Sequence, residues 1–104
     1  MKVYKAKGMV LGKCWGGGKG YYESEELQNE KLNDLKKEIK ERIKNGMLDS
    51  GFGFDGLIGA VMEIVTIETI KKGNKEYKHY DSVISNFDLS ADEFEEGKEF
   101  LLNS

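Results

Sequence analysis

The chain contains no proline, a single cysteine, a single histidine and a single tryptophan, and each scarcity removes a class of structure or chemistry. Without proline, glycine is the only strong punctuation, so turns are read from the glycine positions. One cysteine, Cys14, excludes an internal disulfide and any multi-cysteine zinc site, and it suits a reducing compartment. His79 has no nucleophile beside it, so a general-base role is poorly supported. A metal site built from His79 and Asp81, on one face of a strand, lacks a third ligand that spacing can place. The longest apolar run, from Leu57 to Met62, is far short of the roughly 20 residues that cross a bilayer. Nothing near Met1 resembles the apolar core of a secretory signal. These absences lead to an expectation of a cytoplasmic, non-enzymatic protein with no cofactor, no metal and no membrane association.

What is present fits one α+β domain over residues 1–104, with material for a single core and no internal boundary. The net charge of −3 conceals a gradient along the chain. Residues 1–22 carry five lysines and no acid, whereas residues 88–104 carry six acids against Lys98 alone. An acidic terminal helix can meet a basic partner or mimic the phosphates of nucleic acid, although a solvated face is the favoured reading because charge runs on surface helices are common. Direct nucleic-acid binding is disfavoured, because the whole chain is acidic and lysines alternate with acids in the central helical segment.

From Lys2 to Trp15 the residues alternate as a strand does. Tyr4, Ala6, Gly8, Val10, Gly12 and Cys14 form an uncharged side expected to face the core. Met9, Leu11 and Trp15 share the other side with Lys5, Lys7 and Lys13, a mixture that suits an exposed contact surface. Gly20 to Ser24 suits a short returning strand. From about Asn29, Leu32, Leu35, Ile39 and Ile43 recur at helical spacing, with acids early, bases late and Gly46 just beyond. Lys36, Lys40 and Lys44 fall on one exposed stripe that keeps the helix soluble.

Ser50 to Gly56 reads as a glycine-rich loop with Phe52 and Phe54 tucked beneath the fold. Met62 to Ile70 is β-branched, and Gly73-Asn74 offers a tight turn into a second arm from Lys75 to Tyr80. That arm is expected to continue through Val83 to Phe87 after an irregularity at Asp81-Ser82. Ser90-Ala91-Asp92-Glu93 is a capping box with Leu89 and Phe94 as a hydrophobic staple, predicting a helix from Ala91 to about Leu102 with Phe94, Gly97 and Leu101 on one face.

The glycine-rich stretch from Trp15 to Tyr22 is the one segment with a ligand-binding look. Consecutive backbone N–H groups can cradle an anion, Lys19 can neutralise it, and Trp15, Tyr21 and Tyr22 can stack on a base. It lacks the serine or threonine after lysine that a P-loop needs, and the third glycine and helix of a dinucleotide fingerprint. A plain hairpin turn is the favoured account of it, with ligand binding the minority reading.

The fold expected is a small two-layer sandwich in β-α-β-β-α order. A mostly antiparallel sheet of three to four strands carries the long helix, with the C-terminal helix beside it or over an edge. The function expected is that of an inhibitor or regulatory adaptor occupying a partner protein's surface through Met9, Leu11, Trp15, Glu95, Glu96 and Glu99. The alternative is a sequestering binder of a nucleotide or other phosphorylated molecule at Trp15, Gly17, Gly18, Lys19, Tyr21 and Tyr22. A homodimer through the long first strand is open to the chain as well.

Overall fold

Strand β1 (Lys2–Lys13) is the spine of the molecule, because β2 (Lys19–Glu23) and β3 (Leu27–Asn29) pair with one of its edges and β4 (Gly56–Lys72) with the other. Beyond β4 lies β5 (Lys75–Phe87), giving a five-stranded sheet whose ladders are all antiparallel. Helix α1 (Leu32–Lys44) follows β3, and helix α2 (Ala91–Leu102) closes the chain. The computed structural model describes residues 1–13, 16–46 and 56–103. The expectations for Cys14, Trp15, Phe52 and Phe54 lie outside the described residues.

The mostly antiparallel α+β architecture is therefore present, with a layer added to the expected pair. Ala6 and Val10 of β1, with Ala60, Met62 and Ile64 of β4, form one core with Leu35, Ile39 and Ile43 of α1. Met9 and Leu11 of β1, with Val61 of β4, form a second core with Phe94 and Leu101 of α2. Successive strand residues point to opposite faces, so the two helices cover opposite sides of the sheet. This corrects one expectation about the site. Met9 and Leu11, expected on an exposed contact face, are 8% and 2% accessible and belong to the core beneath α2. It also corrects the notion of β1 as a dimer edge, since both its edges are already paired within the chain.

Local chemistry explains most element boundaries. Asn29 belongs to β3 and its side-chain oxygen accepts a hydrogen bond from the Lys31 N–H at 2.9 Å, which delays α1 to Leu32. The C-terminus of α1 ends at Asn45, with Gly46 at φ 69° just beyond. Ser24, buried between β2 and β3, has its N–H and its hydroxyl engaged: the N–H donates to the Gly8 carbonyl, Oγ accepts from the Gly8 N–H, and the hydroxyl donates to the Glu25 carbonyl. Gly8 itself lies against the Val61 and Met62 backbone with no room for a side chain.

The β4–β5 hairpin is longer than the sequence suggested. β4 begins at Gly56 rather than Met62, and β5 runs unbroken through Thr66↔Asp81 and Val65↔Ser82, where an irregularity was expected. A ladder accommodates polar residues at an edge without bending, so a change of hydropathy does not require a break. The register shift in the sheet falls instead between Leu11 and Gly12, opposite Gly59 and Leu57. At ~3.3 Å per residue, the 17 residues of β4 account for the molecule's long axis, its extents being 59 × 25 × 21 Å. The radius of gyration, 15.3 Å, exceeds the value of about 13 Å usual for this length. The excess is the hairpin arm, since β1 reaches only to Lys2↔Glu68 and the Met1 carbonyl accepts from the Thr69 N–H at 2.9 Å.

Candidate protein-docking site on helix α2

Helix α2 starts where the local sequence says it should. The Ser90 side chain accepts a hydrogen bond from the Glu93 N–H, and the Glu93 carboxylate accepts one from the Ser90 N–H at 3.0 Å, a complete capping box. These bonds hold the Glu93 carboxyl below its ordinary value, the Ser90 N–H being the largest cause, with a further contribution from Lys19 at 3.6 Å.

The helix is fixed to the sheet by three contacts. Gly97 lies so close that a β-carbon there would meet Val61 Cγ1 at 2.9 Å and Tyr21 Cε1 at 3.0 Å. The Tyr21 hydroxyl donates to the Glu93 carbonyl at 2.9 Å. The Tyr21 ring also rests against Phe100, with centroids 5.1 Å apart. Burial, then the charges of Glu96 and Glu93, push the Tyr21 hydroxyl pKa up.

With Phe94, Gly97 and Leu101 facing the sheet, the 100° step of a helix turns Asp92, Glu95, Glu96 and Glu99 outward. All four are exposed. Among the described residues, the only cation paired with this stripe is Lys98, whose ammonium lies 3.5 Å from Glu95 and 5.5 Å from the Phe94 ring centroid. Phe100 and Leu102 flank the stripe at the last turn, 49% and 64% accessible. Beside Leu102 and Leu101 opens a cleft of about 360 Å³ whose wall includes Glu23, Lys7 and Glu63. The register Met9↔Glu23 and Lys7↔Glu63 places these three on the α2 face of the sheet. The face is thus acidic, with apolar side chains at one end.

Of the expected partner-binding residues, Glu95, Glu96 and Glu99 come together on this face, Met9 and Leu11 lie beneath it, and Trp15 is outside the described residues. Phe100 and Leu102 were missed. The helical wheel already set them apart from the buried face, and this was the available signal. Of the second set of candidate residues, Gly17, Gly18 and Lys19 are consecutive at one turn, while Tyr21 and Tyr22 lie on opposite faces of the sheet. Gly16 and Gly17, at φ 92° and 93°, lie in the connection between paired Lys13 and Lys19, a hairpin turn. Gly18 is exposed in the same turn, and Lys19 turns to Glu93. Tyr21 lies opposite Leu11 on the α2 face, while Tyr22 lies opposite Val10 on the α1 face and covers Gly20. The two tyrosines therefore do not form one stacking platform.

His79 is exposed at the hairpin arm, its Nε2 3.2 Å from Asp81 Oδ2. Among the described residues no three histidine, cysteine or acidic side chains are gathered as metal ligands, and no helix is long and apolar enough to cross a membrane. No protein-family model, curated protein or solved structure matches the chain.

Proposed function

We propose that the chain is a non-enzymatic binding protein, an inhibitor or regulatory adaptor that acts by occupying a partner protein's surface, and that the outer face of α2 makes the contact. One observation carries this reading: a single helix, pinned through Gly97 and Tyr21, presents exposed acids flanked by two exposed apolar side chains. Preorganised anchors lose little freedom on binding, and an aromatic beside a charged rim is the composition of an energetic interface centre. The partner surface that complements this face is basic, with an apolar recess for Phe100 or Leu102. Asp92, Glu96 and Glu99 span about 10 Å of helix axis, so a groove that otherwise follows a nucleic-acid backbone is one such surface. The lone cysteine supports a reducing, cytoplasmic setting.

The test is affinity capture from the native host with three baits: the wild-type protein, Phe100→Ala, and a triple variant Glu95→Lys, Glu96→Lys and Glu99→Lys. A protein retained by the wild type is expected to be lost with the triple variant and weakened about 10- to 100-fold by Phe100→Ala, the range of a hot-spot truncation. Equal retention of every captured protein by all three baits would sink the proposal.

A further inference from the structure

Strand β5 ends the sheet. Its 13 residues pair with β4 along one side, and among the described residues no strand occupies the other. Both helices lie mainly over β1, β3 and β4, so neither obstructs that edge. Protein edges are usually protected by a bulge, a proline, a short strand or charged side chains, and of these β5 carries only the last, at Lys75, Glu76, Lys78 and Asp81. β5 has no register shift and the chain has no proline. The strand also carries three exposed large apolar side chains, Tyr77, Tyr80 and Val83, at 50%, 59% and 63% accessibility.

We propose that β5 is a self-pairing edge, joining two copies of the chain antiparallel about a two-fold axis at Tyr80 into one continuous sheet. The reasoning is a matter of register. A two-fold axis normal to the sheet keeps each face on its own side, and opposed residues of an antiparallel pair share a face. The axis must therefore pass midway between the two copies of one residue, which face each other. Centring on Lys78 or Asp81 sets like charge on like charge. Centring on His79 sets imidazole on imidazole and Lys75 against Val83, and centring on Tyr77 engages only the first five residues of the strand. Centring on Ser82 places Asp81 against Val83 and forms no opposite-charge pair.

Centring on Tyr80 alone pairs the three exposed apolar side chains with one another. Tyr77 then faces Val83 of the second copy, Tyr80 faces Tyr80, His79 faces Asp81, Lys78 faces Ser82 and Lys75 faces Ser85, with Glu76 against Ile84 as the one mismatched pair. The three exposed apolar residues are symmetric about Tyr80, so each finds an apolar counterpart. The His79 and Asp81 of each copy, already 3.2 Å apart, would join in a four-membered cluster of alternating character. The surface is separate from the outer face of α2, and the two proposals stand independently.

The experiment is sedimentation and light scattering of the purified full chain over a concentration series, with four variants. The wild type is expected to shift from one to two copies as concentration rises. Tyr80→Asp brings two carboxylates together on the axis and is expected to remain a single copy, while its circular dichroism matches the wild type because the replaced side chain is exposed. In a Cys14→Ser background, Tyr80→Cys is expected to form an intermolecular disulfide under mild oxidation, since facing residues bring Cα atoms within about 4.5 to 5.5 Å. Lys78→Cys is expected to form none, because the two copies of that position lie about 13 Å apart along the strand direction. The triple lysine variant of α2 should associate as the wild type does, which separates this result from the docking test. A single copy at every concentration, an associating Tyr80→Asp, or cross-linking through position 78 in preference to 80 would each overturn the proposal, as would a foreign strand-donating partner being the only occupant of the edge.

Discussion

The Tyr21 hydroxyl and the Glu93 carbonyl meet at 2.9 Å across 72 residues of sequence, tying the second strand to the first turn of the last helix. The bond lies between the capping box, which begins α2, and the Tyr21–Phe100 ring contact, which steadies its end. It therefore sets the orientation of the acidic face.

Removing that hydroxyl has a pH signature. The Tyr21 pKa is raised in the folded state above 10.0, so on raising the pH the unfolded chain releases this proton first. The contribution is complete below pH 10 and is lost as pH climbs through the folded value. Tyr21→Phe is expected to lose about 1 kcal/mol at neutral pH. Urea unfolding at neutral and strongly alkaline pH should show the gap between the two proteins narrowing at the alkaline end. A gap that is constant or widens would contradict the assignment.

The capping box is expected to weaken at the other end of the scale. Glu93 is held below 4.5, chiefly by the Ser90 N–H, so its stabilisation is present above that value and is lost as pH falls through the folded pKa. Ser90→Ala is expected to lower stability by about 0.5–2 kcal/mol at neutral pH. Glu93→Ala should flatten the acid limb of a melting-temperature profile. An unchanged acid limb in that variant would show the carboxylate to be uninvolved.

Leu11→Ala distinguishes a core residue from a contact residue. Removing a side chain that is 2% accessible between the sheet and α2 is expected to cost about 2–5 kcal/mol in chemical denaturation. Under conditions where the variant is folded, its capture of partners should match the wild type. A stable variant with selectively lost binding would return Leu11 to the surface.

The elements legible in the sequence are those built by neighbours. The α2 start was readable because a capping box involves only four consecutive residues, and α1 because Leu35, Ile39 and Ile43 repeat at the helical period. The hairpin turn at Gly73-Asn74 follows from its own two residues. Alternation along residues 20–24 was also enough to place Tyr21 and Tyr22 on opposite faces of β2. Less was legible where two distant segments had to meet. β3 is three residues long and acquires its conformation from Tyr4, Lys5 and Ala6.

By itself the sequence determined the helices, the turns and the acidic character of α2, because hydrogen bonds and rotamers between near neighbours decide those. Tertiary structure alone decided which strand faces are covered. Met9 and Leu11 are buried since Gly97 lets α2 settle on Val61 and Tyr21, and β5 is left at the margin since β1 and β4 take the interior of the sheet. Burial is a property of whichever surface arrives opposite, and alternation in one strand carries no record of it.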